Sequence, residues 1–144
     1  MIITFCGHND VPDTNSVREW LCNVLDQFMH EENLIFYLGG YGGFDRLAAS
    51  VVRAKQEAKP PAQAVLVIPY LNRQYDVQGY DYTLFPPLES IPPRYAIRKR
   101  NEWMVAQADV VIAYVTHGWG GAAKTLKYAR SKSKRVILYP EIGS

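Results

Sequence analysis

Three glycine-containing loops hold the residues of this 144-residue chain that are best suited to ligand chemistry. They are Gly7-His8-Asn9, the stretch from Gly39 to Asp45, and Gly118-Trp119-Gly120-Gly121. Each follows a short apolar run, and the second and third each precede a helical pattern. Glycine lets backbone N–H groups approach a ligand closely, and the N-terminus of a helix favours an anion. The spacing therefore predicts a phosphate-bearing ligand, with backbone contacts from Gly7, Gly39, Gly40, Gly42, Gly43, Gly120 and Gly121.

The loops match neither of the two common phosphate fingerprints. No Gly-Lys-Ser/Thr follows either long loop, so a P-loop is excluded, and the first apolar run lacks the GxGxxG of ordinary dinucleotide-binding dehydrogenases. Left-handed turns and close helix packing are the structural alternative for the same glycines.

Polar side chains near these loops are the next candidates. His8 and His117 both follow apolar runs, so we expect them to face each other, with His8 donating or accepting a ligand hydrogen bond. No further residues have metal-ligand spacing, and we expect no metal. Asp45 is either a first-turn helix carboxylate or a partner for a ribose hydroxyl.

A helix before the fourth apolar run adds charged groups. Arg100 is suited to bidentate phosphate binding, and Asn101 lies beside it. A reaction at an anomeric carbon would instead need a carboxylate, for which Glu102, Asp45 and Glu89 are weak candidates. The structural alternative for Arg100 and Glu102 is a pair of exposed helix charges.

Five apolar runs separated by amphipathic helices must position these residues. The runs cover 2–6, 34–38, 64–68, 109–115 and 135–139, and a capping box, Ser16 with Glu19, precedes the first helix. Buried strands alternating with helices predict one α/β domain over 1–144, a Rossmann-like three-layer α/β/α sandwich around a five-stranded, mainly parallel sheet. In strand order 3-2-1-4-5, ligands bind where the order reverses, between strands 1 and 4.

Composition restricts the class of protein. With 48% hydrophobic and 21% charged residues the chain is typical of a globular protein, and no run suits a membrane helix or a signal peptide. Two cysteines form no disulfide framework, so we expect a cytoplasmic protein. Residues 70–92 lack periodicity and carry five aromatic side chains, which indicates either a functional loop or a cover over the sheet edge.

The motifs together resemble the SLOG superfamily (the DprA and LOG group of Rossmannoid domains), and within it the YpsA-like proteins of bacteria. The resemblance rests on Cys6-Gly7-His8, the loop from Gly39 to Asp45, Arg100-Asn101-x-Trp103-Met104-Val105, and the stretch from Gly120 to Ala129. It implies a domain that binds a nucleotide or a derivative such as NAD or ADP-ribose, without an obligatory cofactor, and it implies homodimers. It adds Asn9, Phe44 and Thr125 to the ligand contacts.

Two departures bear on the activity. The LOG motif carries a catalytic Glu, but Lys127 and Tyr128 stand at that place here, which argues against the LOG phosphoribohydrolase reaction. YpsA-like proteins usually have Arg after Gly-His, where this chain has Asn9.

We therefore expect a nucleotide-binding sensor or regulatory module. The alternative is a nucleoside or nucleotide N-glycosidase or a deoxyribosyltransferase. Residues 94–144 carry ten Lys/Arg and three Asp/Glu, but the net charge of +2 argues against nucleic acid as the partner.

Overall fold

The fold, described by a computed structural model for residues 1–59 and 61–142, is built from six strands and four helices. In chain order the elements are β1 (Ile2–Gly7), α1 (Thr14–Asp26), β2 (Ile35–Leu38), α2 (Gly43–Ala58), β3 (Gln63–Val67), β4 (Tyr82–Leu84), α3 (Pro93–Gln107), β5 (Val110–Tyr114), α4 (Gly121–Ser131) and β6 (Arg135–Leu138).

The six strands form one sheet in the order β4-β3-β2-β1-β5-β6, and every pairing among them is parallel. The predicted strand order is confirmed, and it reverses between β1 and β5 as expected. The predicted number of five strands is wrong. The additional strand, β4, lies inside the segment 70–92 and pairs with the end of β3. This strand has only three residues, and two of them are exposed. It therefore lacks the continuous apolar run by which the other strands were predicted.

Helices cover both faces of the sheet, as in a three-layer sandwich. The helix α1 packs on α2, and α3 packs on α4. The larger core cluster joins α1 and α2 to the sheet and includes Leu21, Val24, Phe36 and Val52. A smaller cluster joins Val111 to α3 and α4. Burying each large apolar side chain contributes roughly 1.5–3 kcal/mol, so these two clusters hold the helices against the two faces of the sheet.

The first helix begins earlier than the sequence indicated. Asp13 is its N-cap, and the Asp13 carboxylate accepts a hydrogen bond from the Ser16 backbone N–H at 3.2 Å. Ser16 therefore lies in the first turn, and the predicted Ser16–Glu19 capping box is wrong because the preceding carboxylate takes its place. In the described part of the chain, no helix is long and apolar enough to cross a membrane.

Candidate functional site

A cavity of about 420 Å³ lies at the carboxyl ends of β1 and β5, where the strand order reverses. We call it the switch-point cavity. The loop after β1, the start of α2, one face of α3 and the start of α4 surround it. Its lining consists of Phe5, Cys6, Gly7, His8, Asn9, Asp10, Tyr41, Gly42, Asp45, Ile97, Arg100, Asn101, Met104, His117, Trp119, Gly120, Gly121, Ala122 and Thr125.

The structure brings most of the predicted ligand contacts together in this cavity. Those that line it are Gly7, His8, Asn9, Gly42, Asp45, Arg100, Asn101, Gly120, Gly121 and Thr125. Those that do not are Gly39, Gly40, Gly43 and Phe44. Of the three carboxylates considered for catalysis, Asp45 alone lines it. Glu102 lies in a neighbouring groove, where Arg98 and Lys99 contact it at 3.3 and 3.4 Å, and Glu89 is exposed in a turn.

Close packing explains Gly43 and Gly40, which lie outside the cavity, and Gly7, which lines it. A Cβ on Gly43 would stand 2.1 Å from the Asn9 carbonyl oxygen, and one on Gly40, where φ is +67°, would stand 2.6 Å from Leu66. A Cβ on Gly7 would collide with the Phe44 ring at 2.2 Å. Phe44 thus packs against Gly7 at the end of β1 and does not line the cavity. At these positions glycine allows two segments of the chain to pack closely together.

The N-terminus of α2 is closed to ligands. The Gly43 N–H donates to both the backbone carbonyl and the side-chain oxygen of Asn9, each at 3.0 Å, and the Phe44 N–H donates to the His8 carbonyl at 3.3 Å. Asn9 is therefore a cap for the first turn of α2. Because the Gly43 and Phe44 N–H groups already donate to Asn9 and His8, they are not free for the phosphate predicted at this loop.

The N-terminus of α4 is open by contrast. Its N-cap, Gly120 at φ +92°, makes no side-chain capping bond, and the first turn holds no acidic residue. A Cβ built on Gly120 or on Gly121 would meet nothing within 4 Å. Both residues face the cavity together with Ala122. The start of α4 thus has no side-chain cap from its N-cap residue, has free space beside Gly120 and Gly121, and carries the positive end of the helix dipole, an arrangement suited to an anion.

Arg100 is a structural cation in this fold. It is 3% exposed, and its Nη1 donates to the carbonyls of Val67 at 2.7 Å and Gly39 at 3.1 Å. Its Nε donates to the Asn101 side chain at 2.8 Å. The guanidinium therefore joins α3 to the ends of β2 and β3, and a bidentate phosphate contact that uses Nε or Nη1 would displace at least one of these bonds.

The Asp45 carboxyl lies beside this guanidinium and accepts a hydrogen bond from the Tyr41 backbone N–H at 3.3 Å. Burial raises the pKa of Asp45 from 3.8 to about 6, against the opposing effects of Arg100, the Tyr41 N–H and Arg46. Burial lowers the pKa of Arg100, while Asp45 acts in the opposite direction. The cavity thus holds a carboxyl that changes protonation near neutral pH.

Three stacked rings form the wall on the β5 side, and we call them the aromatic wall. The His8 and His117 rings lie 3.7 Å apart, and Trp119 stacks on the other face of His117 at 3.7 Å. The Thr116 N–H donates to His8 Nε2 at 3.0 Å, which fixes the neutral ring with its proton on Nδ1. Burial, and then the neighbouring His117, lower the pKa of His8. The predicted pairing of the two histidines is therefore seen as a stack.

Sequence reasoning missed Tyr41 and Trp119 as cavity residues. Their side chains are 74% and 70% exposed, on the loops after β2 and β5, which lie on either side of β1. A large aromatic between loop glycines was the available signal. Nδ1 of His117 is buried without a hydrogen-bond partner among the described residues. Within that same part of the chain, no cluster of three or more His, Cys, Asp or Glu is placed to hold a metal ion.

The fold has known counterparts among solved structures, although no family model and no curated protein matches the sequence. The protein TM1055 superposes with a TM-score of 0.65 at 18% identity, over 99% of this chain and 76% of its own. The molybdenum cofactor binding protein of Rippkaea orientalis gives 0.66 at 19% identity, over 95% and 74%.

DNA processing protein A (DprA) of Helicobacter pylori, whose structure describes a single-stranded DNA binding mode, gives 0.65 at 14% identity, over 96% of this chain and 64% of its own. The chain therefore has the SLOG/DprA-like Rossmannoid fold that the sequence motifs predicted. These neighbours do not support the expected exclusion of nucleic acid.

Proposed function

We propose that this chain, with its SLOG/DprA-like Rossmannoid fold, binds a nucleotide or nucleotide derivative of the NAD or ADP-ribose type. It would act as a sensor or regulatory module of the YpsA-like branch. The observation that carries the proposal is the uncapped start of α4, which opens into the switch-point cavity beside the exposed indole of Trp119. The start of α4 is suited to a phosphate, and the indole of Trp119 is suited to stacking with a planar base.

The two halves of a nucleotide would then have separate partners. The backbone N–H groups at Gly121 and Ala122 would bind the phosphate. The aromatic wall, ending in Trp119, and Tyr41 on the opposite side would contact the base through their ring faces. A molybdenum cofactor, which one structural neighbour binds, combines an aromatic ring system with a phosphate and would meet the same two requirements.

Binding without turnover fits the acids of the site. The Glu102 carboxylate contacts two cations outside the cavity, and Lys127 and Tyr128 occupy the place of the LOG glutamate. The second candidate function is N-glycosidic hydrolysis or transfer, which is favoured by Asp45 alone because that carboxyl faces the cavity with its pKa at about 6. Release of free base from a nucleotide, lost in Asp45→Asn, would establish that function instead.

A thermal-shift titration tests the binding proposal. The ligands are AMP, ADP, ADP-ribose and NAD, with a 20-mer of deoxythymidine to probe single-stranded DNA. A ligand at about 100 times its Kd stabilises the fold by about 2.7 kcal/mol, which is a shift of roughly 5–10 °C for a chain of this size. We expect such a shift with a nucleotide. A response to the DNA alone would refute the proposal and assign the site to nucleic acid.

Two matched variants locate the ligand. Gly121→Ala places a methyl in the proposed phosphate position, whereas Gly118→Ala places one in open space outside the cavity. We expect Gly121→Ala to abolish the ligand-induced shift without lowering the stability of the free protein, and Gly118→Ala to change neither. Equal responses in the two variants would contradict the placement of the phosphate at α4. Trp119→Ala should weaken binding roughly 5–150-fold, the range measured for base stacking.

A further inference from the structure

The switch-point cavity continues into a second cavity of about 590 Å³ between α3 and α4, which we call the α3/α4 groove. The two share four lining residues, Ile97, Asn101, Gly121 and Thr125. The two cavities therefore adjoin at these residues, and we call the pair the trough. Ligand sites in proteins are typically about 300–1,000 Å³, and each of the two cavities lies within that range.

The shared residues place the proposed phosphate position in the middle of the trough. Gly121, the first residue of α4, lines both cavities, whereas Tyr41 and Trp119 line the switch-point cavity alone. A mononucleotide bound with its phosphate at α4 and its base at Trp119 would leave the whole groove empty. A ligand that fills the trough needs a second group on the far side of its phosphates.

The charges of the groove indicate the chemistry of that second group. Three cations, Arg98, Lys124 and Lys127, face one carboxylate, Glu102. Glu102 contacts Arg98, but neither lysine has a carboxylate partner in the described part of the chain. An excess of unpaired cations favours an anionic ligand segment, and the polar groups of Asn101 and Ser131 suit hydroxyl groups.

We infer that the α3/α4 groove is a second ligand subsite, which binds the distal sugar of a nucleoside diphosphate derivative while its pyrophosphate lies across the start of α4. This inference rests on the proposed function, because it assumes that the base lies at Trp119. It adds to the proposed function a position for the distal half of such a ligand, at residues that the switch-point cavity does not include. Lys124 and Lys127 contact the outer phosphate, and the groove wall between Asn101 and Ser131 contacts the sugar.

Isothermal titration of AMP, ADP and ADP-ribose tests the inference one group at a time. We expect affinity to rise at each step, by at least about fivefold from AMP to ADP and again from ADP to ADP-ribose, each about 1 kcal/mol. Lys127→Gln should weaken ADP-ribose about fivefold and change AMP less than twofold. Arg130→Gln, which removes a charge on the same helix outside both cavities, is the matched control and should change neither ligand.

Different results overturn different claims. Equal affinities for ADP and ADP-ribose, or a Lys127→Gln variant that binds ADP-ribose normally, would overturn the second subsite and leave nucleotide binding intact. Binding of none of the three would overturn both proposals. Loss of self-association in Lys127→Gln, measured by light scattering with unchanged ligand affinity, would assign the groove to a second copy of the chain and overturn the subsite.

Discussion

Replacing Arg100 with leucine tests whether this side chain stabilises the fold or contacts a ligand. The guanidinium donates to the Val67 and Gly39 carbonyls and to the Asn101 side chain. Arg100 itself is only 3% exposed. Its removal leaves the Val67 and Gly39 carbonyls at the strand ends without this donor, at about 1–3 kcal/mol each. The loss of two buried donors therefore predicts a deficit of about 4 kcal/mol and a Tm lower by on the order of 10 °C.

Urea denaturation of Arg100→Leu and of Arg98→Leu measures this difference. The Arg98 side chain is 69% exposed, and its pair with Glu102 contributes at most about 0.5 kcal/mol, so that variant is the control. Because Arg100 lowers the pKa of Asp45, its loss raises that pKa further, and the deficit must grow as the pH rises from 5 to 8. A stable, pH-independent Arg100→Leu variant that no longer binds nucleotide would refute the structural role.

The remaining predictions concern the same loops. Asp45 holds its proton up to a pH of about 6 in the fold but only to 3.8 when unfolded, so its ionisation destabilises the native state as pH rises between those values. Asp45→Asn should therefore be about 1–3 kcal/mol more stable than the native chain at pH 8 and equal to it at pH 4, by urea denaturation; lower stability at pH 8 would contradict this. Gly43→Ala should unfold at a far lower temperature, since its methyl would stand 2.1 Å from a carbonyl oxygen, whereas Gly121→Ala should melt as the native chain or higher. Asn9→Ala should cost about 1 kcal/mol through loss of the α2 cap, and no change in its urea midpoint would show that water replaces the cap.

The sheet was predictable because buried parallel strands have continuous apolar runs. All five such runs became strands, and their order is the one common to doubly wound parallel sheets. The strand Tyr82–Leu84 was not predictable, because an edge strand of three residues with two exposed side chains has neither an apolar run nor a clear alternation. The start of α1 was misplaced because Asp13 and Ser16 both suit a cap, and the sequence does not decide between them.

The site was predictable as a set of loops rather than as a set of contacts. Topology alone brought the loops after β1, β2 and β5 to one edge. Which glycines face a ligand depends on neighbours that are distant in sequence. Gly43 serves the approach of Asn9, 34 residues earlier, whereas Gly121 faces free space. The burial of Arg100 likewise depends on carbonyls of β3 and of the loop after β2, so the same arginine could be interpreted from the sequence as a surface charge or a phosphate ligand.

The capping of α2 by Asn9 also constrains the order in which the protein folds. A helix is costly to nucleate, and most helices take their cap from the residue that immediately precedes them, so that their first turn forms locally. Here both acceptors for the Gly43 N–H lie across a closed loop of 34 residues. The first turn of α2 is therefore completed only after that loop has closed and β1 lies beside β2. A fragment that begins at β2 would lack the cap and fray at this end, and the edge of the switch-point cavity would be among the last parts of the chain to become ordered during refolding.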